Sequence, residues 1–447
     1  PRLPTVEDMK LATSFTGSRG QRFPAPDVAR GFMLLFIALA NIPFWVATTR
    51  SSASSDAVDT VWLWARTLLV DHRAYPLFAM LFGFGLVTMV NRRIVSGTQS
   101  YLQSLPGVEA GREPTEQEEV WAREQATVGA RRLVRRRGLW MVLFGAAHAM
   151  LFSGDIIGTY GLAAVVFAGW LARKHRKRAM AVSVVATVAT ISTMHTMGSH
   201  VAAQGLSAAA VMKQGAGESA TTLLSYVSGS VTSWAGNSVA TVLFSMVVPA
   251  MFLGARLADT DLIAHPERHR RLLTGVGLGG LGIGAAGGIG FAVWAAGGTL
   301  VTWGMPLHAV TGVAGACGWL ALLALYAGGP RSDGRLTGLR RLASNVGRRS
   351  MTAYLSQTFL FAIVFLALPS LTGIELHLGE ARTAGIALAV WLVTVGLCAV
   401  LERGGHAGPF ETLLRTAVAR SERRRRLPAP PAPASPVGAS DTYDLVH

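Results

Sequence analysis

The feature that most constrains this chain is a series of long apolar runs separated by polar stretches. Hydropathy read in windows of about 19 residues identifies roughly ten such runs. Runs of this length with few charges are typical of helices that cross a bilayer, where the backbone must satisfy its own hydrogen bonds. They lie near residues 28–48, 74–91, 138–153, 156–172, 179–198, 238–257, 272–296, 306–328, 351–371 and 382–401.

The overall composition is also that of a membrane protein. Of the 447 residues, 51% are hydrophobic and only 15% are charged, whereas a soluble protein carries about 25% charged residues. Cys317 and Cys398 both lie in apolar runs, which excludes a disulfide framework and a cysteine-rich metal site. We therefore predict an all-α polytopic membrane helix bundle, with the lipid bilayer as its main partner and without a metal.

The basic residues are distributed unevenly among the polar stretches. They are concentrated before the first run and after the second, fourth, sixth, eighth and tenth, and the other loops hold almost none. This alternation follows the positive-inside rule and predicts about ten transmembrane helices with both termini in the cytoplasm. The net charge of +16 is therefore a topology signal, and we expect no nucleic-acid partner.

The polar stretches divide the chain into three parts. Residues 1–25 form a cytoplasmic segment, residues 26–418 form the transmembrane domain, and residues 419–447 form a basic, then Pro-rich tail that we predict to be disordered. The loop 92–137 has acidic residues early and arginines late, the order that a helix dipole favours. It predicts a cytoplasmic helix that continues into the third run. The loop 199–237 is predicted to be extracytoplasmic, with an amphipathic helix at the membrane surface.

Two ionisable residues lie where the third and fourth runs meet. The turn between these runs is predicted at Gly154 and Asp155, so the two helices should form an antiparallel hairpin. His148 would then lie inside the membrane and Asp155 at its outer rim. Ionisable groups there usually pair, face a cavity or take part in chemistry. The alternatives are that His148 only hydrogen-bonds a neighbouring helix and that Asp155 only caps the next one.

Other polar residues near the ends of the runs are further candidates. Asp27 and Arg30 can pair along one face of the first helix. Asn41 lies deeper and either joins two helices or belongs to a site. Asp71 precedes the second helix on the outer side, where it is a partner for His148 or an anchor at the interface. The ninth helix carries a polar series that runs inward from the cytoplasm: Arg348, Arg349, Tyr354 and Gln357.

The glycines around residue 280 match a dinucleotide-binding motif only by letter, because they neither follow a strand nor open a soluble helix. Gly280, Gly284 and Gly288 instead recur every fourth residue. Small residues at this spacing let helix backbones approach closely in lipid. We predict a packing face.

Several ordered motifs carry a resemblance to a known family. They are Asp27-Val-Ala-Arg-Gly31, Leu77-Phe-Ala-Met-Leu-Phe-Gly-Phe-Gly85, Gly145-Ala-Ala-His148, Gly154-Asp-Ile-Ile-Gly-Thr-Tyr160, Val346-Gly-Arg-Arg-Ser-Met-Thr-Ala-Tyr-Leu-Ser-Gln357 and Gly408-Pro-Phe-Glu-Thr-Leu-Leu-Arg415. Together they resemble the YeiB-like family of bacterial membrane proteins, which carry a domain of unknown function (DUF418). The chain departs from the family pattern at Ala353, where the family usually has Asn, and at Thr412, where it usually has an aromatic residue.

The resemblance implies a bacterial inner or plasma membrane protein that is remotely related to transmembrane acyltransferases. In that wider group an Asp-x-x-Arg-Gly motif opens the first helix, and a histidine inside the membrane is considered catalytic. The implied activity is transfer of an acyl group from cytosolic acyl-CoA to a small-molecule, sugar or lipid acceptor. Fold analogy alone does not establish such an activity, so two alternatives stay open. They are a transporter or flippase of a small metabolite or lipid, and an accessory membrane protein without enzymatic activity.

For the acyltransferase reading, the residues can be given roles. His148 would be the catalytic base, with Asp155 or Asp71 orienting it and Asn41 completing the catalytic group. Arginines at the cytoplasmic end would hold the phosphates of coenzyme A. The expected substrate-binding residues are Asp27, Arg30, Arg348, Arg349, Tyr160, Tyr354 and Gln357. The oligomeric state stays open, a homo-oligomer included.

Overall fold

The computed structural model describes residues 23–47, 56–215, 223–330, 336–373, 376 and 378–422. Most of the predicted segment 1–25 and of the predicted tail 419–447 therefore lies outside the described residues. Within the described ranges every regular element is a helix. The α-helices are α1 (Pro24–Ala47), α2 (Ala57–Leu69), α3 (Ala74–Gln103), α4 (Glu116–Ala149), α5 (Ile157–Arg173), α6 (Arg176–Ala203), α7 (Ala208–Gly215), α8 (Leu223–Phe244), α9 (Val247–Leu257), α10 (Arg270–Ala295), α11 (Gly304–Ala327), α12 (Gly338–Arg348), α13 (Ser350–Ala362), α14 (Leu368–Thr372), α15 (Glu380–Arg403) and α16 (Pro409–Arg420).

The longest helices confirm the predicted all-α polytopic membrane bundle. In the described part of the chain, seven helical stretches are long and apolar enough to cross a membrane. An eighth is formed if α8 and α9, which are bent by 61° at their junction, make one span. The third and fourth predicted runs do not qualify. The apolar part of α4 is only its end, and the 17 residues of α5 reach about 26 Å, less than the roughly 30 Å hydrocarbon core. The count of ten and the orientation remain predictions.

The two longest helices form a hairpin that extends beyond the apolar runs. Helix α4 starts with a capping box, in which Thr115 and Glu118 satisfy each other's backbone N–H groups. It then continues unbroken into the third apolar run, as predicted. Helix α3 runs beside it, and the rings of Tyr101 and Trp121 lie 5.9 Å apart. The arginine-rich part of the chain is therefore held in a regular helical pair.

Helices α4 and α5 form the predicted antiparallel hairpin, and glycines bring them together. A Cβ on Gly145 would lie 2.4 Å from the backbone nitrogen of Gly158. The turn is wider than predicted, since α4 ends at Ala149 and α5 starts only at Ile157. The prediction of a turn at Gly154 and Asp155 alone is wrong, because Asp155 folds back toward α4 and caps α5. His148 therefore lies in the last turn of its helix, beside Asp155 rather than a helical distance below it.

Other helix pairs also cross at glycines. Gly280 and Gly284 of α10 lie against the backbone of α11, with the Cβ of an alanine at Gly284 placed 3.0 Å from Gly315 Cα. This confirms the predicted packing face. Helices α3 and α9 cross even more closely, since a Cβ on Gly83 would lie 2.0 Å from the Met251 carbonyl oxygen. A Cβ on Gly254 would lie 1.9 Å from the carbonyl oxygen of Met80. Such crossings hold the bundle in one register.

Helix α2 was not predicted, because its charged residues lower the hydropathy of the stretch. Its Asp59 closes a capping box with Asp56 at the start of the helix. The same carboxylate accepts the backbone N–H of Ala381 at 2.8 Å, at the start of α15. One buried aspartate therefore fixes the first turns of two helices.

The predicted outer loop 199–237 is largely helical where it is described. Helix α6 extends to Ala203, the short α7 follows, and α8 begins at Leu223. Helix α8 thus starts well before the sixth apolar run. It ends at Phe244, where the Ser245 hydroxyl oxygen accepts the backbone N–H of Val247 at 3.2 Å and so helps to start α9 in a new direction.

The orientation can be tested with single cysteines in a variant that lacks Cys317 and Cys398. Ser104 and Thr299 are both exposed, and the positive-inside rule puts them on opposite sides of the membrane. In intact cells we expect an impermeant maleimide to label Thr299→Cys but not Ser104→Cys, and to label both after permeabilisation. Equal labelling of the two in intact cells would contradict the predicted orientation.

Candidate functional site

The centre of the candidate site is a hydrogen-bonded histidine–aspartate pair between the end of α4 and the turn before α5. His148 Nδ1 lies 2.7 Å from Asp155 Oδ1, and both side chains are buried. The other carboxylate oxygen, Asp155 Oδ2, accepts the backbone N–H of Gly158 at 2.7 Å and the indole N–H of Trp234 at 3.2 Å. Because a carboxylate only accepts hydrogen bonds, His148 must donate from Nδ1. In the neutral ring the lone pair is then on Nε2.

His148 Nε2 is buried and has no hydrogen-bond partner among the described residues. The imidazole is flanked by the rings of Tyr354, at 5.2 Å, and Phe152, at 6.1 Å. Buried polar atoms in native proteins nearly always have a partner, so an exception needs an explanation. A basic nitrogen held in an aromatic surrounding can accept a proton from a bound molecule.

Helix α8 binds the hairpin through one line of side chains. Tyr226 and Ser230 donate to the carbonyl oxygens of Leu151 and Ala149. Four and eight residues further along α8, the Trp234 indole binds Asp155 and the Ser238 hydroxyl accepts from Thr159 at 2.9 Å. The spacing of four residues puts these groups on one face of α8. None of the four was singled out from the sequence, although their spacing was readable there.

Two predicted substrate-binding residues, Tyr354 and Gln357, lie on α13, and the ring of Tyr354 contacts that of His148. Both are buried, and residues three apart share a helix face. The Gln357 amide nitrogen has no hydrogen-bond partner among the described residues. An amide N–H2 group in this position can donate to an oxygen of a bound molecule.

Tyr160 also lies close to this region but its hydroxyl is engaged. It donates to the carbonyl oxygen of Tyr75 at 2.9 Å. Its ring packs against Phe78 and Phe82 at 4.5 and 5.3 Å. Tyr160 therefore joins α5 to α3, and its hydroxyl group is not free to bind a ligand.

The structure does not bring all four predicted catalytic residues together. Asp71 lies in the turn between α2 and α3, and its carboxylate pairs with Arg66 at 3.3 Å. Of the two partners considered for His148, only Asp155 contacts it. Asn41 is half-buried on α1, one turn before Trp45, whose ring stacks on Phe152 at 5.3 Å. It is not one of the residues that bind the imidazole.

The predicted arginines at the other end of the bundle have partners within the chain. Arg30 binds Asp27 at 3.2 Å and the carbonyl oxygen of Leu81 at 3.3 Å. Arg348 and Arg349 both pair with Glu402, the latter at 2.8 Å, and so link α12 to α15. These contacts stabilise the bundle, and a role of these residues in substrate binding stays a prediction.

A further arginine near Arg30 was not predicted as a site residue. Burial lowers the pKa of the Arg137 guanidinium, and the positive charges of Arg30 and Arg415 lower it further. The negative charge of Glu411 raises this pKa and so partly offsets the decrease. Glu411 is itself engaged, since it accepts the backbone N–H of Met351 at 2.7 Å. This end of the bundle therefore carries an excess of positive charge. Arg137 was not distinguished in the sequence because it belongs to a run of arginines that we interpreted only as a sign of membrane orientation.

We also looked for side chains that could bind a metal ion in the described part of the structure. Within the ranges described, no three His, Cys, Asp or Glu side chains are placed to hold a metal ion.

The chain was compared with protein families, curated proteins and solved structures. Residues 257–421 match the family described as "Protein of unknown function (DUF418)". No curated protein and no solved structure matched the chain. The matched region contains the motifs Val346–Gln357 and Gly408–Arg415, which carried the resemblance in that part of the sequence. This match confirms the predicted resemblance over residues 257–421, where the chain is similar to the DUF418 family.

Proposed function

We propose that this protein is a membrane acyltransferase. It would move an acyl group from cytosolic acyl-CoA to a hydroxyl or amine of a small-molecule, sugar or lipid acceptor. The observation that carries the proposal is the buried His148–Asp155 pair, whose Nε2 atom has no partner among the described residues. A histidine oriented through Nδ1 by a carboxylate is the arrangement of a general base.

In the proposed reaction His148 Nε2 takes the proton from the acceptor hydroxyl. The acceptor oxygen attacks the thioester carbonyl carbon, the new C–O bond forms and the C–S bond breaks. The leaving sulfur then receives the proton from the imidazolium, so the base is restored. The Asp155 carboxylate stabilises the imidazolium that forms in between. We assign to the Gln357 amide the role of a donor to the carbonyl oxygen, where negative charge develops.

The donor would enter from the end of the bundle that carries Arg30 and Arg137. Their positive charge, with that of Arg415, suits the phosphates of coenzyme A. Arg30 and Trp45 stand on one helix about 22 Å apart, at about 1.5 Å per residue. Trp45 stacks on Phe152, which flanks His148. The proposal therefore requires an acyl group carried on a long arm, as it is in coenzyme A.

A transporter of a small metabolite or lipid is the second candidate. It is favoured by the 61° bend between α8 and α9, since broken helices often form the binding site of transporters. The same buried polar groups would then line a path rather than perform chemistry.

Donor binding tests the proposal directly. The full chain in detergent should bind a fluorescent acyl-CoA, and Arg137→Gln should weaken this binding about tenfold or more, because a hydrogen bond to a charged group contributes roughly 1.5–3 kcal/mol. Arg132→Gln is the matched control, since Arg132 is an exposed arginine on the same helix. If the wild type binds no acyl-CoA, the transporter reading replaces the acyltransferase. An equal loss in the control would show a general effect of charge.

A further inference from the structure

A second buried polar cluster lies apart from His148, where the α2–α3 turn meets α10 and α11. It consists of His72, Arg73 and His308. Arg73 is only 1% exposed. Its guanidinium donates to the carbonyl oxygens of Thr67, at 3.1 Å, and Gly284, and to His308 Nδ1 at 2.9 Å. The cluster thus joins three parts of the bundle.

The contact with Arg73 determines how His308 is protonated. An arginine can only donate, so His308 Nδ1 must accept, and the proton of the neutral ring is on Nε2. This N–H is fully buried and has no acceptor among the described residues. The ring of His72 lies 4.6 Å from that of His308, and its Nδ1 atom is likewise buried without a partner there. Two neighbouring rings therefore each present an unsatisfied nitrogen.

Two helix N-termini and the Arg73 guanidinium contribute positive charge beside these nitrogens. Helices α3 and α11 both begin beside the cluster, at Ala74 and Gly304, and a helix start carries a partial positive charge. The nearest acidic residue along the chain, Asp71, pairs with Arg66. Among the described residues no carboxylate forms an ion pair with Arg73. The Asp71 carboxylate acts on Arg73 only from beyond ion-pair distance, and a buried guanidinium without a directly paired carboxylate is costly, so a further acceptor beside it is favoured.

Gly288 is part of the same arrangement. A Cβ at this position would lie 2.9 Å from Arg73 Nη2 and 3.0 Å from His308 Nδ1. Only glycine leaves the guanidinium and the imidazole in contact. The glycine series of α10 therefore does more than pack helices, because its last member makes room for a buried charged group.

We propose that this cluster binds a small monovalent carboxylate, which accepts hydrogen bonds from His308 Nε2 and His72 Nδ1 beside the charge of Arg73. A water molecule fits less well. It brings two hydrogens of its own, whereas the carbonyl oxygens that surround Arg73 already accept hydrogen bonds. A carboxylate brings only acceptors, and its charge is attracted by the Arg73 guanidinium. This site is independent of the proposed acyl transfer.

The test is thermal unfolding of the purified full chain in detergent, with sodium acetate titrated against sodium chloride at constant ionic strength. A ligand that binds only the folded state raises the melting temperature in a saturable way. His308→Asn keeps an acceptor for Arg73 but removes the Nε2 donor, so we expect acetate affinity to fall about tenfold or more. His269→Asn is the control, since His269 pairs with Asp261 at 2.9 Å, away from the cluster.

Saturable stabilisation by acetate in the wild type and in His269→Asn, together with its loss in His308→Asn, supports the proposal. Chloride acting as well as acetate, no effect of acetate, or equal shifts in all three proteins would overturn it. If His308→Asn does not fold, His72→Phe takes its place, because phenylalanine keeps the ring contacts and removes the nitrogens. Since no readout involves acyl transfer, the result does not depend on the proposed function.

Discussion

Replacing His148 with asparagine should lower acyl transfer by about 10²–10⁴-fold, the usual contribution of a general base. An asparagine amide can still donate a hydrogen bond to Asp155, as His148 Nδ1 does at 2.7 Å in the wild type. It offers no basic nitrogen at the position of Nε2. The expected loss is therefore in turnover, and binding of acyl-CoA should change little. The measurement is the rate of transfer by purified protein in liposomes, with donor binding recorded on the same samples.

His269→Asn is the control for the cost of replacing a histidine, because its ring contacts Asp261 outside the site. It should retain the wild-type rate. Unchanged turnover in His148→Asn would remove this histidine from the mechanism, even if donor binding and expression were normal. Loss of donor binding together with turnover would point to a structural role instead.

A large effect on stability is expected at the crossing of α3 and α9. An alanine at Gly254 would put its Cβ 1.9 Å from the carbonyl oxygen of Met80, and backbone atoms cannot rotate away. The two helices would have to separate, which typically costs 1–3 kcal/mol or more, so about that much stability should be lost. We expect Gly254→Ala to unfold at a clearly lower temperature in detergent, or not to accumulate at all.

Gly282→Ala is the matched control for this substitution. Gly282 also lies within a helix, but a Cβ there would meet nothing within 4 Å. Since alanine favours the helix over glycine by up to about 1 kcal/mol, the variant should be as stable as the wild type or slightly more so. A Gly254→Ala protein with the wild-type unfolding temperature would mean that α3 and α9 do not cross at this distance.

The helical bundle could be predicted because apolar runs of membrane length report directly on helices. The helix ends could not be predicted equally well. Helix α2 contains Asp59 and Arg66, which lower its hydropathy although both are buried, Asp59 in hydrogen bonds to backbone N–H groups and Arg66 in an ion pair with Glu380. The first half of α8 is rich in small and hydroxyl-bearing residues, so its composition was that of a loop. In both helices the stability comes from contacts with distant parts of the chain.

The same limit applies to the candidate site. The pairing of His148 with Asp155 was predictable because the two residues stand seven positions apart, around one turn. The choice between Asp155 and Asp71 as the partner of His148 was not predictable. Asp71 forms an ion pair with Arg66, which belongs to a helix that the hydropathy pattern did not reveal. The contact between Arg73 and His308 joins residues 235 positions apart. Separations of that size leave no periodic signal in a single sequence.

The line of contacts from α8 has a consequence for biosynthesis. Trp234 donates to Asp155 from 79 positions later in the chain. When the α4–α5 hairpin leaves the ribosome, one oxygen of this buried carboxylate has only the N–H of Gly158 as its donor. A carboxylate that is incompletely satisfied is costly in lipid. The hairpin should therefore reach its final packing only after α8 has been synthesised and inserted, so the central pair of the site matures late although it is encoded within one short stretch.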